Sequence, residues 1–290
     1  MKLSHIICSM KRPDQLKVVL EKIDRESLTR HNVEVLLVGF ASDKPTMAVM
    51  EAFASQAPTR TYVLHQDRRG LGAARNVGIT AASGDFFTFT DDDCYLQKDY
   101  YDALLRDFDP TQYQYGAGQV LLFDPSDDRR IAICPIAEKS TIRARSLLPA
   151  GLIPGANMFA LRSVFDRIGG FSEDFGGAAP FAGDDVEFAT RASLAGFTGV
   201  LLPSVIVHHH HGRKPGSPES EAQLEAYDIG RGAYYAVLLT RGINESWQLW
   251  SRFSAAQGPM SDALAVRLER EFRGAADYLK YYLSKKDRAG

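Results

Sequence analysis

What most constrains this chain is the alternation, within its first ninety residues, of short apolar runs and amphipathic stretches. Leu3–Ser9 is apolar almost throughout, and residues 33–38, 61–64 and 86–90 repeat the pattern. Between these runs lie three helical stretches: 14–27 behind Pro13, with Leu16, Val19, Leu20 and Ile23 on one face, then 46–55, then the Ala-rich 73–82. Strands that are apolar on both faces need helices on both sides. The order therefore predicts an α/β fold with a mostly parallel central sheet flanked by helices. Ligands of such sheets bind beyond the carboxyl ends of the strands.

The later chain is less regular. Residues 113–123 and 198–209 read as strands, 125–130 as a polar turn, and 98–108, 163–168 and 184–195 as helices. A Gly/Pro/Ser loop over 212–218 leads into helical stretches 219–241 and 261–285, joined by a connector containing Trp and Phe. With 290 residues, of which 45% are hydrophobic, the chain is long enough for one large α/β domain and a helical appendage. A net charge of −2 supplies no basic field for nucleic acid. Cys8, Cys94 and Cys134 are too sparse for a disulfide framework and suit a reducing compartment. The first apolar run is too short and polar for a signal peptide, and no stretch of ~18 apolar residues could span a membrane. These features predict a cytoplasmic protein, with contact at the inner face of the membrane still open.

Chemistry concentrates at two acidic runs. In Thr88-Phe-Thr-Asp-Asp-Asp-Cys94, three carboxylates stand where an apolar strand ends. Like charges packed there need compensation, and a hard divalent ion with oxygen ligands provides it. If strand geometry persists, Asp91 and Asp93 share one direction and Asp92 turns away. The competing reading is an acidic turn capping the next helix. The second run, Gly183-Asp-Asp-Val-Glu187, opens a helix. Capping alone explains carboxylates there, yet a general base has the same needs. His208, His209, His210 and His211 close the 198–209 strand, and one imidazole could ligate metal. The 212–218 loop behind them, with Arg213 and Lys214, reads as a lid or as a plain linker. Two smaller signals sit at strand ends. Arg68-Arg-Gly-Leu-Gly-Ala-Ala-Arg-Asn76 places glycines and cations ahead of a helix, a weak phosphate signal, and Cys8-Ser-Met-Lys-Arg-Pro13 either cradles a base or ribose or simply turns.

Taken in order, these segments resemble family 2 glycosyltransferases of the GT-A fold. The resemblance rests on Cys8–Pro13, Gly70–Ile79, Gly84–Asp93, Gly169–Gly176, Gly183–Phe188 and Pro203–His209, and covers residues 1–212. It implies inverting, metal-dependent transfer of a sugar from a nucleotide-sugar, with a UDP-sugar favoured, to a carbohydrate or lipid-linked acceptor. Asp91 and Asp93 fall on the Asp-x-Asp motif that holds Mn²⁺ or Mg²⁺, His209 on a histidine that completes the metal site in some members, and Asp185 on the base. The implied donor side takes in Ser9, Arg12, Asp43, Arg69, Arg75, Asn76 and Asp92, and the acceptor side or lid takes in Asp184, Asn157, Arg213 and Lys214. Two departures stand out. The acidic pair is Asp184-Asp185 where the family usually has Glu-Asp, and the second strand ends Val38-Gly39-Phe40 where the family commonly has Asp, so Asp43 is the substitute. The expected organisation is residues 1–212 as the transferase domain, about 1–110 for the donor and 111–212 for the acceptor, with 213–290 as a loop and helical extension open to acceptor contact or assembly. The rivals are a sugar-phosphate nucleotidyltransferase, which lacks its Gly-rich first loop here, and an inactive binding protein, which should have lost these carboxylates.

Overall fold

The computed structural model describes residues 1–255 and 261–289. Its first half follows the apolar alternation. The elements are β1 (Leu3–Ser9), α1 (Pro13–Lys22), α2 (Arg25–Arg30), β2 (Glu34–Phe40), α3 (Lys44–Gln56), β3 (Thr61–Gln66), α4 (Leu71–Ala81) and β4 (Phe86–Asp91). The single helix expected over 14–27 is two, because Ile23 turns extended and the Asp24 carboxylate caps a second helix by accepting from the Glu26 and Ser27 amides. Successive strand residues face opposite layers: Leu36 and Val38 pack with the α4 side, Val35 and Leu37 with the α1–α3 side.

The second half contains more strand than its sequence announces. β5 (Cys94–Leu96), α5 (Tyr100–Asp107), β6 (Tyr115–Leu122), β7 (Ser140–Ile142), β8 (Asn157–Leu161), α6 (Arg162–Ile168), α7 (Asp184–Leu194) and β9 (Gly199–His209) follow. The sheet runs β3-β2-β1-β4-β8-β6-β9-β5, with β7 beside β9. β1 to β4 are parallel, β8 is antiparallel to both β4 and β6, and β6 is parallel to β9. Two reversals restore the original direction. β9 therefore ends on the same sheet edge as β4, which brings His209 beside Cys94. β5, β7 and β8 were not anticipated because three to five residues are too few for a periodic signal.

The tail is helical: α8 (Pro218–Thr240), α9 (Glu245–Ala255) and α10 (Asp262–Ala289). α9 lies in what reads as a connector. α8 and α10 cross closely where Gly232 meets the Glu271 backbone and Gly274 meets that of Ile229. Glu271 is buried at this crossing and accepts from Arg231 at 2.8 Å, Arg267 at 2.8 Å and the Trp250 indole at 2.6 Å. Trp247, Val266, Phe272, Leu279 and Leu283 remain exposed on the outer face. No described helix is long and apolar enough to cross a membrane.

Candidate active site

β4 delivers Asp91 to the sheet edge, and a turn over Asp92 and Asp93 then leads into β5. This turn separates the carboxylates differently from the strand expectation. Asp91 faces Arg75, 3.3 Å from Nη2, and keeps 31% of its side chain exposed. Asp92 and Asp93 are buried and share Arg12, which donates to each at 2.7 Å. Asp92 also accepts from the Ser9 hydroxyl at 2.6 Å, and Asp93 Oδ1 lies 3.1 Å from His209 Nε2.

Protonation follows these partners. Burial and the neighbouring Asp93 push Asp92 up to about 7, against the pull of Arg12. Burial pushes Asp93 the same way, but His209 and Arg12 outweigh it and hold this carboxyl below its usual range. Burial lowers His209, but Asp93 and Asp91 together outweigh it, so the imidazole is drawn towards its charged form.

The second acidic run stands at the start of α7. Asp184 is buried and accepts from Arg75 Nη1 at 2.6 Å. Asp185 instead accepts only from backbone: Gly155 N–H at 2.8 Å and Val186 N–H at 2.7 Å. Burial, reinforced by Asp184, pushes it up to about 6. Arg75, itself buried, also donates to the Gly155 carbonyl at 2.9 Å. One guanidinium thus touches both acidic runs and the loop that holds the base candidate. The two runs flank Arg75, and the carboxylate site they form is termed the pit.

Around this pit the carboxylates of Asp91, Asp92, Asp93, Asp184 and Asp185 face the guanidinium groups of Arg12 and Arg75. That excess of negative charge in a buried site suits a divalent cation. His209 suits one too: its ring is buried against Asp93, and its Nδ1 has no hydrogen-bond partner among the described residues. The side-chain ligand atoms of Asp93, Cys94 and His209 lie within 4.8 Å of one another, with Asp91 outside that cluster. Burial holds the Cys94 thiol neutral, so Asp93 and His209 are the pair that fits a hard ion.

Several residues expected to contact ligand have partners within the chain. Ser9 holds Asp92, and Arg12 and Arg75 are spent on carboxylates. Asp43 caps α3, accepting from the amide and hydroxyl of Thr46 at 3.1 and 2.6 Å. Asn76 pairs with both backbone groups of Phe171 at 2.9 and 2.8 Å. Asn157 is fully buried between Tyr100, Gln119 and Val205. The α4 terminus, expected to receive phosphate, is covered: Leu71 N–H donates to Gly177 at 2.8 Å, and Gly72 packs on the carbonyls of Ser172 and Phe175. Its glycines serve close approach of that loop. Lys214 is bound to Asp124 at 3.0 Å, Ser126 at 2.7 Å and Asp127 at 2.6 Å, which anchors the 212–217 loop. Arg69 is exposed, and Arg213 has no salt-bridge partner among the described residues while its field reaches His209. Gly155 was missed in the sequence, where nothing sets it apart from an ordinary turn glycine.

Comparison with known proteins agrees with this architecture. The pattern described as "Glycosyl transferase family 2" matches residues 4–169. The chain belongs to that family, a class of sugar-transferring enzymes. It is similar to AglE of Haloferax volcanii, a glycosyltransferase, at 22% identity over 242 residues, covering 82% of this chain and 75% of AglE. EpsH of Bacillus subtilis is 35% identical over 91 residues, 31% of this chain and 26% of EpsH. The chain thus spans between about a quarter and three quarters of these relatives. Among solved structures, the mannosyltransferase PcManGT from Pyrobaculum calidifontis, in complex with GDP-Man and Mn²⁺, superposes with a TM-score of 0.59 at 18% identity, over 98% of this chain and 75% of that one. The fold is GT-A.

Proposed function

We propose that this chain is an inverting, metal-dependent glycosyltransferase that moves a sugar from a nucleoside-diphosphate sugar to a hydroxyl acceptor, with residues about 1–110 serving the donor. The observation that carries the proposal is Arg75, which contacts both Asp91 and Asp184 and so joins a cation-binding wall to a base-bearing wall. Asp93 and His209, with Asp91 from the open side, would hold Mn²⁺ or Mg²⁺, which supplies positive charge to the departing diphosphate. Arg213, the cation near His209 with no salt bridge among the described residues, is placed to add to that charge. Asp185 removes the proton from the acceptor hydroxyl. Its position beside Asp184, with backbone donors only, leaves it basic enough for the task near neutral pH. A single displacement with base and leaving group on opposite sides inverts the anomeric centre. Arg12 and Ser9 keep Asp92 and Asp93 in place beneath the diphosphate.

The donor bases to test are uracil, and guanine, which the structural relative PcManGT carries as GDP-Man. Calorimetric titration with UDP and with GDP, each with and without Mn²⁺, tests the proposal. Binding of one of them only when Mn²⁺ is present is the expected outcome. Nucleotide binding that ignores the metal, or no binding of either, would overturn it.

A further inference from the structure

Resting on that reading, we propose that α8 forms the acceptor wall of the pit, and that Tyr227 on this helix positions a neutral sugar ring over Asp185. Nothing in the sequence marks Tyr227 out from the other aromatic residues of its helix. Its place follows from how α8 is fastened. Near the helix start, the Ser220 hydroxyl bonds Asp128 and Glu221 meets Arg130 at 2.8 Å, which ties α8 to the turn beside His211 and Lys214. Ten residues on, Gly230 is pressed against Ala182, where a Cβ would lie 2.5 Å from the Ala182 carbonyl oxygen. Ala182 immediately precedes Gly183-Asp184-Asp185. Another turn along, Tyr234 bonds Thr190 of α7 at 2.7 Å.

Tyr227, Gly230 and Tyr234 stand at i, i+3 and i+7, on one helix face. Gly230 packs just before α7 and Tyr234 bonds Thr190 within it, so the same face continued backwards heads past the start of α7 towards the two acidic runs. The i, i+3, i+7 spacing puts Tyr227 on that stretch of the face. The fields of Arg213, Asp91, Asp185 and Asp93 all reach its hydroxyl, as expected for a group suspended between both walls. The ring is half-buried, and its hydroxyl has no hydrogen-bond partner among the described residues.

The chemistry selects the ligand. Burial keeps the phenol protonated, so it offers a donor, an acceptor and a flat face. A sugar ring presents hydroxyls and a C–H face, matching both. Of the four charged groups whose fields reach this hydroxyl, one, Arg213, is a cation and three, Asp91, Asp185 and Asp93, are carboxylates, so the balance disfavours an anionic acceptor group. α8 is fastened to Ala182 and Thr190, on either side of the base candidate Asp185, whereas Ser9 and Arg12 hold the other acidic run, so in the proposed scheme the α8 side falls to the acceptor.

The test first establishes Mn²⁺-dependent binding of UDP or GDP in the unaltered protein. It then measures transfer, with the matching nucleotide-sugar, to neutral octyl glycosides and to their glucuronide and sugar-phosphate counterparts. We expect transfer to a neutral glycoside. Tyr227→Phe should raise the acceptor KM about three- to tenfold through the lost hydrogen bond, and Tyr227→Ala should raise it further, with Mn²⁺-dependent nucleotide affinity kept in both. Acceptor KM unchanged in both variants, loss of nucleotide affinity alongside acceptor affinity, or failure to use any neutral glycoside would overturn the inference. Absence of Mn²⁺-dependent nucleotide binding in the unaltered protein would instead bring down the underlying assignment.

Discussion

The two acidic runs, Asp91-Asp92-Asp93 at the end of β4 and Asp184-Asp185 at the start of α7, are built from the same residue type and joined by Arg75, yet the fold gives their carboxylates different partners. In the first, His209 and Arg12 hold Asp93 ionised, while burial and the charge on Asp93 push its neighbour Asp92 up to about 7 against the pull of Arg12. In the second, one carboxylate takes the guanidinium and the other receives only backbone N–H groups, so Asp185 is pushed up to about 6. The lesson concerns partners. Asp93, held by two cationic partners, is fixed as a charge and suits an ion, whereas Asp92 and Asp185, each buried beside a like charge, are poised to take a proton.

The largest expected effect comes from the residue the two runs share. Arg75→Met would strand Asp184 as a buried charge without its partner, and should destabilise the protein by about 3–5 kcal/mol. Thermal unfolding measures this, and a melting temperature within a degree or two of the unaltered protein would show that the two walls do not depend on each other. Next in size, Asp93→Ala and Asp185→Asn separate the walls. Asp93→Ala should remove Mn²⁺-dependent nucleotide binding, whereas Asp185→Asn should keep that binding and lower turnover by about 10²-fold or more. Calorimetry paired with turnover decides. Equal losses of binding in the two variants would erase the distinction.

The N-terminal half was largely legible because each buried strand there is a continuous apolar run beside an amphipathic helix, and periodicity needs no tertiary information to show it. The end of β4 and the start of α7 were legible for a different reason: carboxylates at strand and helix ends are conspicuous in any sequence. What each carboxylate touches was not legible. The turn at Asp92 and Asp93 sends both side chains to Arg12, while Asp91 goes alone to Arg75, and that division depends on where β5 turns back beside β9. Asn157, which is buried, and Asn76, which is partly so, bracket backbone groups more than 30 positions away. Such long-range partners leave no local trace.

The smallest expected effect is also the most specific to the comparison, because it asks whether Asp185 owes its basicity to its neighbour. The groups acting on Asp185 are Asp184 on its own helix, which raises it, Arg75 from α4, which lowers it, and the backbone N–H groups of Val186 and Gly155, which lower it; burial is the largest influence and raises it. Cys134 and Tyr227, from the other elements close enough to interact, are held neutral by burial and add no charge. A base must be deprotonated to act, so turnover should rise with pH and level off above about 6, falling to about a tenth of its plateau one unit below. Asp184→Asn keeps an oxygen to accept from Arg75 but removes the adjacent negative charge. Arg75 and the backbone donors then act on Asp185 with less opposition, and the acid limb should move to lower pH. At pH 5 the variant should therefore retain a larger fraction of its own plateau turnover than the unaltered protein does. Turnover profiles between pH 4.5 and 8, with Mn²⁺ and nucleotide-sugar held saturating, read this directly. A limb that stays put would assign the shift to burial alone, and one that moves to higher pH would show that the charge on Asp184 keeps Arg75 in place more than it opposes Asp185.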